Sequence, residues 1–106
     1  MKKIIDYIHE NINKKPIELS DLLDMINNDK NIVDQLKRKY DHWELEEITF
    51  DDGKKKNVIY FYKNGAHNSH GSIHNAYEEN GKIYIECFSM YGGRTTSSFK
   101  NFVNWV

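Results

Sequence analysis

Asn80-Gly81 stands between two runs rich in branched and aromatic residues, 72–78 and 82–91. A type I′ turn, common in two-residue β-hairpins, needs positive φ at both central positions, and Asn-Gly is a pair that adopts this readily, so the dipeptide predicts such a turn and fixes a register. Paired positions then sum to 161, placing Tyr77 opposite Tyr84, Ile73 opposite Phe88 and His74 opposite Cys87. Side chains alternate between the two faces of a strand. One face carries Ile73, Tyr77, Tyr84, Phe88 and Met90 and is expected in the core. The other carries His70, Ser72, His74, Ala76, Ile85, Cys87, Ser89 and Tyr91 and is mixed polar.

Upstream, Trp43-Glu44-Leu45 and Ile48-Thr49-Phe50 alternate in opposite phases, which a bulge near Glu46-Glu47 would reconcile. Asp51-Asp52-Gly53 marks a turn, and the unbroken apolar run from Val58 to Tyr62 reads as a central strand covered on both faces. Residues 64–71, with two glycines, two asparagines and two histidines, read as a loop. These segments make a four-stranded antiparallel meander.

The rest of the chain has helical period. Ile4, Ile5, Ile8 and Ile12 predict a helix over 3–13, ended by Pro16. Leu19, Leu22, Leu23 and Ile26 predict a second, with Ser20 as N-cap, and Ile32, Val33, Leu36 and Tyr40 a third. Phe99, Phe102, Val103 and Val106 predict a C-terminal helix packed back on the sheet. The expected fold is therefore α+β, with three short N-terminal helices, a four-stranded antiparallel β-meander and a C-terminal helix. Its expected core includes Ile8, Leu22, Leu23, Leu36, Ile59, Phe61, Ile73, Phe88, Phe102 and Val103.

With 106 residues, 39% of them hydrophobic, residues 1–106 suffice for a single α+β domain. A chain of this size buries roughly two-thirds of its unfolded surface and needs no metal or disulfide to fold. Cys87 is the only cysteine, which excludes an internal disulfide. No run of apolar residues is long enough to span a membrane, and Lys2, Lys3 and Asp6 interrupt any signal-peptide core, so a cytoplasmic protein is expected. The net charge of -1 hides a division: residues 1–53 hold 8 Lys/Arg against 13 Asp/Glu, and residues 54–106 hold 7 against 3. Lysine outnumbers arginine 13 to 2 and isoleucine and asparagine number 12 each, a bias that fits AT-rich coding, as in a low-GC bacterium or one of its phages.

Four constellations bear on chemistry. His67, His70 and His74, with Cys87 from the neighbouring strand, have residue types that zinc accepts, but nothing in their spacing forces them to converge. Surface histidines are the expected reading, with no metal and no cofactor. His74 opposite Cys87 would suit an activated thiol, against which stands the ordinary buried cysteine acting as a small hydrophobe. Residues 92–98, Gly-Gly-Arg-Thr-Thr-Ser-Ser, at the head of the expected last helix, offer Arg94, Thr95 and Thr96 to a phosphate or carboxylate. Finally, the helical tract around residues 15–23, with Lys37, Arg38 and Lys39 on a recognition segment and residues 51–56 as a wing, resembles the start of a winged helix-turn-helix. That resemblance implies DNA binding.

Two functional classes follow. The first is an interaction protein without a catalytic centre, of the general type of phage or mobile-element inhibitors and immunity proteins. Its aromatic anchors would come from seven tyrosines and two tryptophans, and Glu44, Glu46 and Glu47 would face a basic protein partner, in places mimicking nucleic acid. The second is a small metal-independent endoribonuclease. N-terminal helices before an antiparallel sheet look similar to the fold of several bacterial toxin ribonucleases, which would make His70 and His74 acid and base, with Tyr91 and Arg94 near the phosphate.

Overall fold

A computed structural model describes residues 14–67, 71–88 and 94–106. The expected helix over 3–13, with its core residue Ile8, lies outside them. The described residues form two α-helices, α1 (Leu19–Asn28) and α2 (Lys30–Lys37), and seven strands: β1 (Lys14–Pro16), β2 (His42–Thr49), β3 (Lys55–Lys63), β4 (Ala66–His67), β5 (Ile73–Glu79), β6 (Lys82–Phe88) and β7 (Arg94–Ser98). All join one antiparallel sheet in the order β2-β3-β5-β6-β7, with β1 added to β5 and β4 to β3. The expected architecture of three N-terminal helices, a four-stranded meander and a C-terminal helix is overturned.

Each added strand has a local cause. Lys14 and Lys15 stand opposite Glu79 and Glu78, so charge complementarity favours the β1–β5 pairing. Pro16 is tolerated there because an edge strand has no need of its N–H. At β4, Asn64 and Gly65 both have positive φ, 55° and 80°, and form a second two-residue hairpin turn where a loop was expected. Arg94–Ser98 pairs with Tyr84–Phe88 because Thr95 and Thr96 are strand formers and five hydroxyl-rich residues carry no helical stripe. The apolar period that follows it closes as a 3₁₀ turn, Phe102–Asn104, which still buries Phe102, Val103 and Val106.

The helices cover one face of the sheet. Leu19, Leu22, Ile26, Ile32 and Leu36 meet Ile59, Phe61, Ile73, Ala76, Ile85 and Cys87 there, with Leu23, Trp43 and Leu45 partly buried around them. α1 starts at Leu19 after Glu18 and has no side-chain cap, so Ser20 lies inside the helix rather than capping it. Asp29 caps α2 by accepting from the Ile32 N–H. Beyond α2, the Lys39 ammonium donates to the carbonyls of Val103 and Val106, at 2.8 and 2.6 Å, and ties the C-terminal turn to the helices.

Two register expectations fail, each for its own reason. β2 pairs with β3 without interruption from His42↔Tyr62 to Thr49↔Lys55, so no bulge exists at Glu46-Glu47. The opposite phases of β2 serve opposite faces: Trp43 and Leu45 look to the helices, and Ile48 to the other side. The bulge sits instead in β5, between Ile73 and Asn75, with Ile73 opposite Cys87 and Tyr77 opposite Tyr84. One extra residue at His74 lets Ile73 and Ala76 both face the helices. Phe88 is thereby displaced from the core to the outer face, half-buried.

Candidate functional site

The face of the sheet turned away from α1 and α2 carries the chemistry. Because Trp43 and Leu45 point into the core, the alternation of β2 sends His42, Glu44 and Glu46 to the outer face, opposite Tyr62, Tyr60 and Val58 of β3. The His42 and Tyr62 rings stack at 4.7 Å, and the β4 turn sets His67 opposite Tyr62 from the other side. His67 lies 4.4 Å from the Tyr60 ring and edge-on to Tyr62 at 5.9 Å. The Tyr62 hydroxyl donates to the Glu46 carboxylate, and His42 Nε2 lies 3.3 Å from Glu44. Four rings and two carboxylates thus form one open patch. Glu47 falls on the opposite side of the strand, 3.9 Å from the Lys55 ammonium.

A cleft lies at the other end of the same face. His74, at the bulge, packs on Phe88 with ring centroids 4.5 Å apart. Arg94 begins β7 beside it, exposed, its guanidinium 3.8 Å from Glu86, beyond hydrogen-bond range. The start of β3 brings Lys56, whose ammonium lies 5.4 Å over the Phe50 ring. A cavity of about 540 Å³ is lined by Phe50, Asp51, Asp52 and Lys54 of the β2–β3 turn, and by Lys56, His74, Phe88 and Arg94. A second of about 360 Å³, bordered by the segment from Pro16 to Leu19, shares Lys56, His74 and Arg94 with it. Burial pushes the His74 pKa down; Glu86 opposes this and the charges of Arg94 and Lys56 reinforce it. His74 Nε2 and one Glu86 carboxylate oxygen are buried without a hydrogen-bond partner.

The structure therefore separates residues that the sequence set side by side. His67 joins the tyrosine patch, His74 joins the cleft, and Cys87 is buried in the core, its thiol pushed up to about 12 by burial. Cys87 faces Ile73, not His74. His70 and Tyr91 lie outside the described residues, so of the acid–base set only His74 has a described place. Among the described residues no group of three or more His, Cys, Asp or Glu is placed to hold a metal. Arg94, Thr95 and Thr96 lie on a strand, so the expected helix N-terminus for anions does not exist; Arg94 reaches the cleft instead. On α2 and the turn after it, Lys37 and Arg38 are exposed while Lys39 is engaged with the C-terminal carbonyls.

Sequence reasoning missed His42, Tyr60 and Tyr62 as a unit, and Lys56 and Phe50 as cleft residues. The Asn64-Gly65 pair was the available signal for the first group, since a hairpin there folds His67 back onto Tyr62. The second group meets through the bulge, for which β5 offers no local signal. No described helix is long and apolar enough to cross a membrane. Compared with known proteins, the chain matches no family model, no curated protein and no solved structure.

Proposed function

We propose that the chain is a small intracellular interaction protein without a catalytic centre, which binds a basic protein partner on the outer face of β2, β3 and β4. Its role would be that of an inhibitor or immunity protein of the phage or mobile-element type, acting by covering its partner's surface. The observation that carries this reading is the seat of Tyr62 between His42 and His67, with Glu44 and Glu46 beside it. Aromatic rings already held by their neighbours lose little freedom on binding, and rings beside carboxylates favour lysine and arginine through cation–π and ionic contacts together.

Titration of isotope-labelled protein with an arginine-rich peptide at neutral pH tests the proposal by NMR. Saturable shifts confined to His42, Tyr60, Tyr62 and His67, lost in the double variant Glu44→Lys/Glu46→Lys, support it. An unsaturable response, or shifts mapping to another surface, overturns it.

A further inference from the structure

The cleft between the β2–β3 turn and the start of β7 is a separate feature, on residues the tyrosine patch does not use. Three positively ionisable side chains from three different strands meet at the junction of its two cavities: Lys56 of β3, His74 of β5 and Arg94 of β7. The like charges of Lys56 and Arg94, brought together from distant strands, repel one another, so their convergence calls for a counter-charge. Glu86 stands beside Arg94, yet at 3.8 Å its carboxylate oxygen accepts no hydrogen bond from the guanidinium.

The walls narrow the ligand further. Phe50 and Phe88 supply aromatic surface, and a cavity of about 540 Å³ falls within the range that holds a nucleoside-sized molecule. Asp51 and Asp52 lie on the turn side, where carboxylates accept hydrogen bonds from hydroxyl or amino groups and repel additional phosphates. A site with cations on one wall, carboxylates on another and aromatic rings among them fits a ligand with one anionic end and one donor-rich end joined by a planar ring. We infer that this cleft binds a nucleoside monophosphate unit, its phosphate on Arg94 and Lys56 and its base against Phe88 or Phe50, either as a free nucleotide or within a single-stranded nucleic acid. Arg94 offers a planar fork that suits phosphate oxygens, Lys56 adds a point charge, and His74 Nε2 has hydrogen-bonding capacity not used within the described residues.

Calorimetry and NMR titration of the full chain with 5′-AMP, adenosine, inorganic phosphate and a short single-stranded oligonucleotide test this. The expected result is saturable binding of 5′-AMP, with shifts at Lys56, His74, Phe88 and Arg94, at least tenfold tighter than adenosine or phosphate alone. Arg94→Ala should weaken it tenfold or more and Arg94→Lys should restore it only in part, while Tyr60→Ala, in the other patch, leaves it unchanged. Oligonucleotide binding much tighter than 5′-AMP, with the same Arg94 dependence, identifies nucleic acid as the source; equal affinity identifies the free nucleotide. Absence of saturable binding by both, or binding indifferent to Arg94→Ala and Lys56→Ala, overturns the inference. The peptide titration reports on the other patch, so either proposal can fail alone.

Discussion

The His42 imidazole lies flat against the Tyr62 ring, their planes within 3° of parallel. The pair stands directly across from one another on β2 and β3, so the stack is a product of strand register as much as of ring attraction. Its consequence is a tyrosine fixed in place before any partner arrives. Tyr62→Ala should therefore weaken binding of an arginine-rich peptide by about 2 kcal/mol, as for an interface anchor, and Tyr62→Phe by much less. Fluorescence anisotropy of a labelled peptide measures both. Equal losses in the two variants would transfer the effect from the ring to its hydroxyl bond with Glu46.

Phe61 and Phe88 make a matched pair for testing which face is the core. Phe61 is fully buried against Tyr40 and Trp43, whereas Phe88 is half-buried beside His74. Phe61→Ala should cost about 3–5 kcal/mol and Phe88→Ala about 1–2 kcal/mol in urea unfolding. A larger loss at Phe88 would restore the unbulged register.

Cys87 should be inert while the chain is folded. Its burial disfavours the thiolate, which is the reactive form. A thiol reagent at mildly alkaline pH should leave the native protein unmodified and label it completely once urea unfolds it. Rapid labelling under native conditions would mean that β6 opens far more easily than its neighbours in the core imply.

The pH dependence of His74 has a defined sign. Its pKa in the fold lies below the ordinary 6.5, so on acidification the unfolded chain takes up the proton first. The stabilising effect is fully present above 6.5 and is lost as the pH falls through the lower folded value. His74→Gln should accordingly flatten the decline in melting temperature between neutral pH and pH 5. Imidazole titration by NMR supplies the finer check: Glu86→Gln should move the His74 midpoint further down and Arg94→Ala should move it up, since those two charges act in opposite senses.

What the sequence disclosed was what is decided locally. The Asn80-Gly81 turn adopts its positive φ at both residues, 53° and 78°, and Tyr77 meets Tyr84 as its register requires. The leucine and isoleucine periods of residues 19–36 likewise made α1 and α2, because a helix is a local structure. What stayed hidden depends on distant partners. Ile73 pairs with Ile59 of β3, while three residues at the far end of the same strand pair with β1; the His74 bulge lies between these two partnerships. No period-two pattern within β5 records that change of neighbour, and every face assignment beyond the bulge moved by one residue. Half of the candidate site was displaced with it, since the position of His74 relative to Cys87 and Phe88 depends on that one insertion.

That shared edge also sets an order of events when the chain folds. Lys14, Lys15 and Pro16 find their partners more than 60 residues later, at Glu79, Glu78 and Tyr77. During synthesis they leave the ribosome before β5 and lack these partners until it has been made. Contacts of such long sequence separation slow folding, because loop-closure entropy is lost before the pairing repays it. β1 therefore cannot join the sheet before β5 has been made, and a chain cut short before β5 leaves the ribosome with its Lys-Lys-Pro segment still searching for an edge.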